Sequence, residues 1–552
     1  MTTLAAAGDS AGESAGESAG DSARDALADA HRLFERGDAE AALVAIGQIL
    51  ESAESPEAYV LQARALARLR RFDPAHDALA QAFALDPRHL GAQFALGNLH
   101  RQQKALPLAA DCFAQVLGQD PEHVDALYEL GCVYQELQRL PEALSQLDLA
   151  HKLAPRDLRV ANQLAIVLVA QEHYDQAIAL LEDICERISP AVVRPRINLS
   201  NALLRTGRFA RAREVLDEVL EVEPNNVEAR WNRSHILLAM GRYEEGWRDY
   251  DYRVLLRSRP ARLLPYVEWA GEPLQGKRLL ISAEQGLGDE LMFASCIPDV
   301  LAGASEVHIE CEHRLAKLFA RSFPAAKVLA SDHEVQPLWL DKDMEVDVFV
   351  RAGSLPRYLR KAARDFPSHT GYLRADETRV GHWRARLAAL GPGLKIGVSW
   401  RGGTASTRAS SRSLSLAALE PIFQTGGCEF VSLQYGDVRG EIAALHASDG
   451  ITVHHWDEAI ADYDETGALV CALDLVISVQ TALIHLTGAL GRPAWVMVPA
   501  VPEWRYGFTG EQMPWYPSIR LFRQEQPGAW HATLARIAGA LSAAKPGGVT
   551  DD

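Results

Sequence analysis

Polar side chains directly follow a predicted buried strand in the last quarter of this 552-residue chain. The apolar run Leu473–Val479 is typical of a short buried strand, and Gln480 and Thr481 come next. An open α/β sheet binds its ligands at this end of its strands, and the following helix has free backbone N–H groups that suit a phosphate. His485 lies four residues after Thr481, on the same helix face. The segment predicts a phosphate-binding turn, although a structural role for His485 is equally consistent with its position.

A second turn follows an earlier predicted strand and has the sequence EQGLGDE, residues 284–290. Gly286 and Gly288 allow a tight turn and a close approach of the backbone to a ligand, and Gln285 lies beside them. Asp289 falls at the start of the next helix, where it either caps the helix or serves as a general base. The turn lacks the G-x-G-x-x-G spacing of a dinucleotide site.

Arginines follow a third predicted strand and could bind a phosphate through paired N–H groups. They are Arg401, directly after the strand, and Arg408 and Arg412 in the polar loop beyond it. The next strand places Gln434 or Tyr435 over the same predicted cleft. A solvated surface loop is the alternative interpretation of the arginines.

Short apolar strands alternate with helices from residue 277 onward, a pattern typical of α/β domains. Two successive Rossmann-like halves are predicted, an N-terminal one over residues 277–375 and a C-terminal one over 393–540, facing a cleft. The predicted strands are Arg278–Ser282, Val307–Glu310, Val346–Val350, Lys395–Trp400, Phe430–Gln434, Val476–Val479 and Ala494–Val498.

Residues 22–255 follow a period of about 34 residues, which predicts an all-α region of about seven helix–turn–helix repeats. Prolines mark the helix exits, and small residues recur where paired helices cross. The prolines are Pro87, Pro121, Pro155, Pro190 and Pro224. The two small-residue series are Ala41, Ala75, Ala109, Ala143, Ala177, Ala212 and Gly246, and Ala63, Gly97, Gly131, Ala165, Ser200 and Ser234.

This period resembles the tetratricopeptide repeat. Residues 124–157 fit the family signature best, at Leu127, Leu130, Gly131, Tyr134, Ala143, Leu147, Ala150 and Pro155. The resemblance implies a solenoid whose concave surface binds a protein or an extended peptide. Alternatively, the repeats serve only to dimerise the chain or to support its C-terminal region.

The remaining segments are predicted to be tails and a linker. Residues 1–21 carry almost no bulky apolar side chain and are expected to be disordered, as are residues 541–552. Prolines and glycines end the helical period over residues 256–276, which we interpret as a linker pinned by Tyr266 and Trp269.

Composition excludes several classes of protein. The net charge of −17 argues against a general binder of nucleic acid or anionic membranes. No apolar run is long enough to span a bilayer, and the N-terminus lacks the pattern of a secretory signal. Seven scattered cysteines without a CxxC pair argue against a disulfide framework or a zinc site. A cytoplasmic protein is therefore predicted.

The C-terminal half resembles the heptosyltransferase-like glycosyltransferases of the GT-B fold. Their donor-site pattern, D-T-G-x-x-H-L-A-A-A-L-G-x-P, corresponds to QTALIHLTGALGRP at Gln480–Pro493, and their acceptor-side turn to GLGD at residues 286–289. Two residues depart from the pattern, because Gln480 replaces an aspartate and Ala482 a glycine. The glutamine at 480 either changes which donor is preferred or marks a domain that binds the donor without turnover.

The resemblance implies roles for individual residues. Asp289 is the expected base for an acceptor hydroxyl, and Thr481 and His485 are expected to hold the donor. Arg412, with Arg401 or Arg408, is expected to neutralise the leaving phosphate. The enzyme is expected to be metal-independent, with a nucleotide-sugar as substrate and no cofactor. The aromatic run that begins at Pro502–Tyr506 resembles bacterial proteins in which such repeats are fused to such a transferase, and its side chains either pack in the core or contact the nucleotide.

These resemblances together imply a protein O-glycosyltransferase similar in arrangement to O-linked N-acetylglucosamine transferases and flagellin glycosyltransferases. The repeats are expected to recruit the acceptor protein, with flagellin as the leading candidate. The alternatives are a non-catalytic adapter with a degenerate transferase domain, and a transferase that builds a glycan or lipopolysaccharide. The sequence leaves open whether the donor is a CMP-linked nonulosonic acid or a uridine- or guanosine-diphosphate sugar.

Overall fold

The computed structural model describes residues 24–188, 191–256, 262–331, 344–403 and 412–544. The predicted N-terminal tail, Arg408 and most of the predicted C-terminal tail lie outside these ranges. The chain divides into two compact units, Met1–Ala202 and Leu203–Asp552. Helices dominate the first unit, whereas the second combines helices with two sheets.

Fourteen α-helices lie in the described part of residues 24–256, two to each predicted repeat. α1 covers residues 24–35. The others are α2 Ala39–Ser52, α3 Pro56–Arg68, α4 Phe72–Leu85, α5 Leu90–Gln102, α6 Leu106–Gln119, α7 Val124–Glu136, α8 Leu140–Leu153, α9 Leu158–Ala170, α10 Tyr174–Arg187, α11 Arg194–Arg205, α12 Phe209–Val222, α13 Val227–Ala239 and α14 Tyr243–Tyr250.

Small residues let the paired helices approach closely, as the sequence predicts. A Cβ atom on Gly97 would lie 2.7 Å from Phe113, and one on Gly131 would lie 2.6 Å from Leu147. Larger side chains there would force the helices of each pair apart. The helix starts repeat as well, since the Nδ1 atoms of His89 and His123 accept the backbone N–H groups of Ala92 and Ala126 at 3.0 and 3.1 Å.

The turn inside each repeat uses a left-handed backbone, which the sequence does not reveal. Most residues at this position are not glycine, although a positive φ angle favours glycine. The residues are Gly37, Arg70, Lys104, Gln138, Glu172, Gly207 and Gly241, with φ between 60 and 95°. This spacing matches the period of the prolines, so each turn is a copy of the same geometry.

The α/β region begins after α14, and its elements confirm the predicted alternation. The strands are β1 Val267–Glu268, β2 Arg278–Ser282, β3 Glu306–Glu312, β4 Lys327–Ser331, β5 Val348–Arg351, β6 Leu394–Ser399, β7 Cys428–Ser432, β8 Val453–His454, β9 Leu475–Val479, β10 Ala494–Val498, β11 Gln512–Met513 and β12 Tyr516–Arg523. The helices are α15 Leu287–Phe293, α16 Ile297–Leu301, α17 Ala316–Ser322, α18 Leu355–Leu359, α19 Glu377–Ala388, α20 Glu420–Phe423, α21 Arg439–Asp449, α22 Asp457–Ala461, α23 Tyr463–Ala472, α24 Ala482–Ala489 and α25 His531–Ala543.

The strands form two sheets with the order of doubly wound folds. The first sheet has the order β1-β5-β2-β3-β4 and is parallel throughout. The second has the order β11-β12-β10-β9-β6-β7-β8, and only the β11–β12 pair is antiparallel. Strand order reverses between β2 and β5 in the first sheet and between β6 and β9 in the second, so each sheet has a topological switch point.

Three predicted boundaries differ from the structure. β1 lies inside the predicted linker and pairs with β5, because Trp269 is buried there and packs on Tyr358 with ring centroids 4.7 Å apart. α19 precedes the predicted start of the C-terminal half, and its Trp383 donates to Glu465 of α23 at 2.9 Å. At the other end, α25 continues to Ala543, beyond the predicted end at residue 540.

Helix α14 belongs to the second unit and supplies core to the α/β region. Trp247 and Tyr250 are fully buried, at 1% and 0% exposure. Both pack edge-on against Phe293 of α15 and against Trp504, with ring centroids 5.6–6.5 Å apart. The last repeat is therefore part of the scaffold that holds the turn before α15.

Candidate functional site

The switch points of the two sheets bring three predicted turns into the same region of the second unit. The turn of residues 284–290 follows β2, residues 400–403 follow β6, and Gln480 and Thr481 follow β9. Helices α15 and α24 begin from two of these turns and pack against each other. Doubly wound sheets bind ligands at such positions, so the topology itself marks a candidate site.

Gly288 is at the closest approach of the two helices. A Cβ atom on Gly288 would lie 3.2 Å from Cδ2 of His485 and 3.3 Å from the Cα atom of Ala482. An alanine at 288 would require His485 or Ala482 to shift by a few tenths of an ångström. The glycine predicted to serve the acceptor-side turn therefore also allows that turn to lie close to the predicted donor-side helix.

Asp289 is the third residue of α15 and makes two contacts through its carboxylate. Oδ2 accepts the backbone N–H of Gly286 at 3.3 Å, which caps the helix. Oδ1 accepts a hydrogen bond of 2.5 Å from Nη2 of Arg505, in the loop after β10. Both side chains are largely buried, at 18% and 17% exposure. The capping role and the charge pairing thus coexist in one carboxylate.

Arg505 carries a firmly held positive charge in this site. Burial lowers the pKa of its guanidinium, but Asp289 and then Glu503 outweigh this and raise the pKa above its ordinary value. The guanidinium also lies over the ring of Trp504, 5.2 Å from the centroid. A cation that is desolvated and oriented in this way suits a phosphate.

His485 is buried, at 2% exposure, and is a neutral imidazole. Burial, followed by the charge of Arg505, lowers its pKa well below 6.5. Its Nδ1 atom lies 3.1 Å from the hydroxyl of Tyr516, which fixes the ring orientation. At neutral pH the residue can exchange hydrogen bonds with a ligand but cannot offer it a positive charge.

The turn between β9 and α24 holds polar groups without partners. Gln480 is 2% exposed, and neither of its side-chain amide atoms has a hydrogen-bond partner among the described residues. An unpaired buried amide costs about 1–3 kcal/mol unless another group pairs with it. Thr481 is the N-cap residue of α24, and its Oγ1 atom lies 3.4 Å from Oγ of Ser478 without capping the helix. The amide of Gln480 is therefore the group of this turn that is left without a partner among the described residues, and donor binding by Gln480 and Thr481 stays a prediction.

The acceptor-side turn is held by the last repeat. Tyr250 donates its hydroxyl to Oε1 of Gln285 at 3.0 Å, and Gln285 has a left-handed backbone with φ of 66°. Arg253 donates to both carboxylate oxygens of Glu284, and its own side chain is 5% exposed. The left-handed position of Gln285 is therefore stabilised by Tyr250, the last residue of α14, while Arg253 just after that helix holds the neighbouring Glu284.

Two residues predicted to bind the donor have other partners. Oε1 of Gln434 accepts the backbone N–H groups of Trp400 and Arg401 at 3.0 and 2.8 Å, and its Nε2 atom donates to the Arg401 carbonyl. Gln434 therefore shapes the turn after β6 as a positioning residue. The guanidinium of Arg401 pairs with Glu441 of α21. Gln434 reaches the backbone of Arg401 because the two residues follow neighbouring strands, β7 and β6.

Arg412 approaches the site from the loop after β6. Its Nη1 atom lies 3.8 Å from Oε1 of Glu503, two residues before Arg505, and its side chain is 12% exposed. A Cβ atom on Gly403 would lie 2.2 Å from Nη2 of Arg412, so only glycine leaves room for this placement. Arg412 thus lies beside Glu503, and its role at a phosphate stays a prediction, whereas Arg408 lies outside the described residues.

Comparisons with known proteins identify the repeats. Two tetratricopeptide-repeat family models match, one over residues 168–225 and the other over residues 60–111, 106–157 and 197–261. The predicted repeat family is therefore confirmed for this part of the chain. In the described residues, no helix has both the length and the apolar content needed to cross a bilayer.

A curated protein, FlbA of Caulobacter vibrioides, is similar over a longer stretch. It is 39% identical over 326 residues, which is 56% of this chain and 54% of FlbA. This chain thus spans about half the length of the curated relative it matches.

Solved structures resemble the chain less closely. YrrB, described as a tetratricopeptide-repeat protein with an unusual peptide-binding site, has a TM-score of 0.30 and 23% identity, covering 33% of this chain and 95% of its own. A tetratricopeptide-repeat protein from Parabacteroides merdae has a TM-score of 0.34 and 18% identity, and the match covers 42% of this chain and 91% of that protein.

Sequence reasoning missed three residues of this site, Arg505, Tyr250 and Tyr516. Arg505 lies within the aromatic run that resembles the fused transferases, and an arginine between Trp504 and Tyr506 is the signal that could have singled it out. Tyr250 and Tyr516 carry no local signal, because each reaches the site through the packing of its helix or strand. Among the described residues, no three His, Cys, Asp or Glu side chains could together hold a metal ion, and metal independence stays a prediction.

Proposed function

We propose that this chain is a protein O-glycosyltransferase. It transfers a sugar from a nucleotide-sugar to a Ser or Thr hydroxyl of a protein that the repeats recruit. The observation that supports this most is the Asp289–Arg505 pair, set beside a neutral His485 where the ends of two Rossmann-like sheets meet. A carboxylate, a buried cation and a helix N-terminus together supply a base and a binding site for a leaving phosphate. Flagellin is the leading acceptor because of the sequence resemblance alone.

The proposed reaction is a direct displacement at the anomeric carbon of the donor sugar. The acceptor oxygen forms a bond to that carbon as the bond from carbon to phosphate oxygen breaks. The hydroxyl proton passes to the carboxylate of Asp289, and the nucleotide leaves with both electrons of the broken bond. Arg505, Arg412 and the backbone N–H groups at the start of α24 stabilise the departing phosphate.

Arg505 gives this reaction an order of events. Both carboxylate oxygens of Asp289 already accept a hydrogen bond, from Arg505 at 2.5 Å and from the backbone of Gly286 at 3.3 Å, so an acceptor hydroxyl has to displace one of them. A donor phosphate competes for the same guanidinium and weakens the pair. Donor binding therefore releases Asp289 for proton transfer, which favours attack by the acceptor only after the donor is in place.

His485 and Gln480 suit the donor side as neutral hydrogen-bonding groups. Nδ1 of His485 faces Tyr516, so Nε2 is the nitrogen left for a ligand. Gln480 offers one donor group and one acceptor atom from a buried position. An aspartate at 480 would repel a phosphate, whereas the amide does not. We therefore assign these two residues to the donor phosphate or sugar.

A non-catalytic adapter is the second candidate. It is favoured by the observation that Asp289 already caps α15 and pairs with Arg505, so that structural contacts alone explain this carboxylate. On this account the repeats bind a partner protein and the α/β region is a scaffold. Donor binding separates the two candidates.

Isothermal titration of the full chain with UDP, GDP and CMP tests the donor site. One of the three is expected to bind, and Arg505→Met is expected to weaken its binding at least 10-fold. Arg439→Met is the matched control, since this arginine forms an exposed ion pair with Asp457 in the same unit. Failure of all three nucleotides to bind, or equal effects of the two substitutions, would contradict the proposed donor site.

A further inference from the structure

The first unit contains a groove that the proposed site does not use. It has a volume of about 870 Å³ and is lined by residues of α1, α3, α4, α5 and α7 and of the turns after α3 and α5. Grooves of this size hold a short segment of a ligand rather than a folded domain. Its floor is made of small or apolar side chains, including Ala63, Ala67 and Ala95.

The charge of the groove is opposite to that of the protein. Five basic side chains line it, Arg64, Arg68, Arg70, Arg101 and Lys104. Its two acidic residues, Glu129 and Glu136, leave a net charge of +3 in a chain whose net charge is −17. A local field of this sign attracts acidic ligands although the whole protein does not.

Internal ion pairs account for only part of this positive charge. Glu129 and Glu136 are both engaged by Arg101, and Glu136 also by Lys104 at 3.1 Å. In contrast, Arg68 and Arg70 are exposed and form no ion pair with a carboxylate among the described residues. Arg68 donates to the carbonyl of Phe34 at 2.9 Å, and the guanidinium of Arg70 lies 6.0 Å from the ring centroid of Phe72. The charges of Arg68 and Arg70 are therefore available to a ligand in the groove.

We propose that this groove binds an extended acidic peptide of the recruited protein. A guanidinium binds a carboxylate with two parallel hydrogen bonds, which gives direction as well as affinity. Neighbouring packed helices lie about 8–10 Å apart, and an extended chain rises about 3.3 Å per residue, so acidic residues at about every third position face successive repeats. The inference deepens the proposed function by naming the chemistry of the recruited segment.

Fluorescence anisotropy on the full chain tests this without any sugar donor, so its failure and that of the transferase proposal are distinguishable. The probe is a fluorescein-labelled dodecapeptide with glutamate at every third position among serines and alanines. Binding is expected, and it is expected to weaken at least 10-fold when glutamine replaces glutamate. It is also expected to weaken with salt, as screening shortens the reach of exposed charges.

Two charge-reversed variants locate the binding. The double variant Arg68→Glu with Arg70→Glu is expected to bind the peptide at least 10-fold more weakly. The double variant Arg70→Glu with Lys104→Glu is expected to lose as much affinity, and it keeps the hydrogen bond from Arg68 to Phe34. The matched control is Arg88→Glu with Arg156→Glu, which changes the charge equally at exposed positions between repeats and is expected to leave affinity within about twofold.

Circular dichroism melting shows whether each variant is folded. Equal binding of the glutamine peptide, or equal affinity of the groove and control variants, would overturn the proposal. So would displacement of the peptide by a single-stranded oligonucleotide at a lower concentration than by the unlabelled acidic peptide, because the groove would then be a nucleic-acid site.

Discussion

Arg505 donates a hydrogen bond of 2.5 Å to the carboxylate of Asp289, a residue 216 positions earlier in the chain. The bond joins the helix after β2 of one sheet to the loop after β10 of the other. It connects the proposed base to the proposed phosphate ligand, so that each controls the charge environment of its partner. The first two predictions below separate the catalytic from the structural part of this relationship.

Asp289→Asn is expected to reduce kcat much more than donor affinity. The amide can still accept the N–H of Gly286 and cap α15, but it cannot take up the acceptor proton. A general base is typically responsible for about 10²–10⁴-fold of the rate, so kcat should fall by that range while the donor KM stays within about threefold. Steady-state transfer kinetics measure both parameters. Equal losses in kcat and KM would remove Asp289 as the base.

Arg505→Met is expected to destabilise the second unit by about 1–3 kcal/mol. This is less than the 3–5 kcal/mol for breaking a fully buried pair, because both side chains keep some exposure. Every one of the 11 tryptophans lies after residue 203, so tryptophan fluorescence during urea unfolding reports on this unit alone. Adding Asp289→Asn should recover part of the loss, since no unpaired carboxylate is left. If the loss of stability in the double variant equals the sum of the losses in the two single variants, Asp289 and Arg505 are not coupled.

Gly488→Ala is expected to destabilise the donor-side helix. A Cβ atom on Gly488 would lie 2.3 Å from Cγ of Tyr516, the residue that orients His485. Overpacking of this kind typically costs about 1–3 kcal/mol. Gly539→Ala in α25 is the matched control, because its Cβ meets nothing within 4 Å and alanine favours a helix by up to about 1 kcal/mol. Fluorescence-detected urea unfolding should show a lower free energy of unfolding for Gly488→Ala and an unchanged or higher one for Gly539→Ala. A decrease of equal size in both variants would contradict the packing described for α24.

The stability of the second unit is expected to depend on the protonation of His485. Burial and Arg505 lower its pKa in the folded protein well below 6.5, so the unfolded chain binds a proton that the folded chain does not. Stability is therefore fully present above pH 6.5 and falls as the pH drops below it, by up to about 1.4 kcal/mol per pH unit. His485→Gln should lose this part of the dependence. If the unfolding free energies of the wild type and of His485→Gln depend on pH in parallel between pH 7.5 and 5.5, folding does not lower the pKa of His485 and the account of its burial is wrong.

The elements around the site could be predicted from sequence because local patterns determine them. The period of the prolines and small residues predicts the helix pairs, and the buried run before Gln480 predicts β9. Gly288 is also accessible to sequence reasoning, since a glycine in a strand-to-helix turn indicates a close approach. These signals depend on neighbours within a few residues, which the sequence contains directly.

Contacts between distant residues could not be predicted in this way. Nothing near Asp289 indicates Arg505, and nothing near Gln285 indicates that Tyr250 at the end of α14 will reach it. Gln434 is another example, because its position after a strand predicts a place over the cleft, whereas its bonds to the backbone of Arg401 are seen only in the structure. The arrangement of partners depends on how the two sheets pack, which no local pattern specifies.

Intact-mass spectrometry of the flagellin of the host organism, with and without this gene, tests the central claim most directly. Deletion should remove one or more sugar-sized masses from flagellin, and the wild-type gene should restore them. Asp289→Asn and His485→Gln should fail to restore them while the proteins accumulate normally, whereas Gly539→Ala should restore them fully. A flagellin mass that is the same in all strains would contradict flagellin as the acceptor, and restoration by Asp289→Asn would contradict the proposed catalytic site.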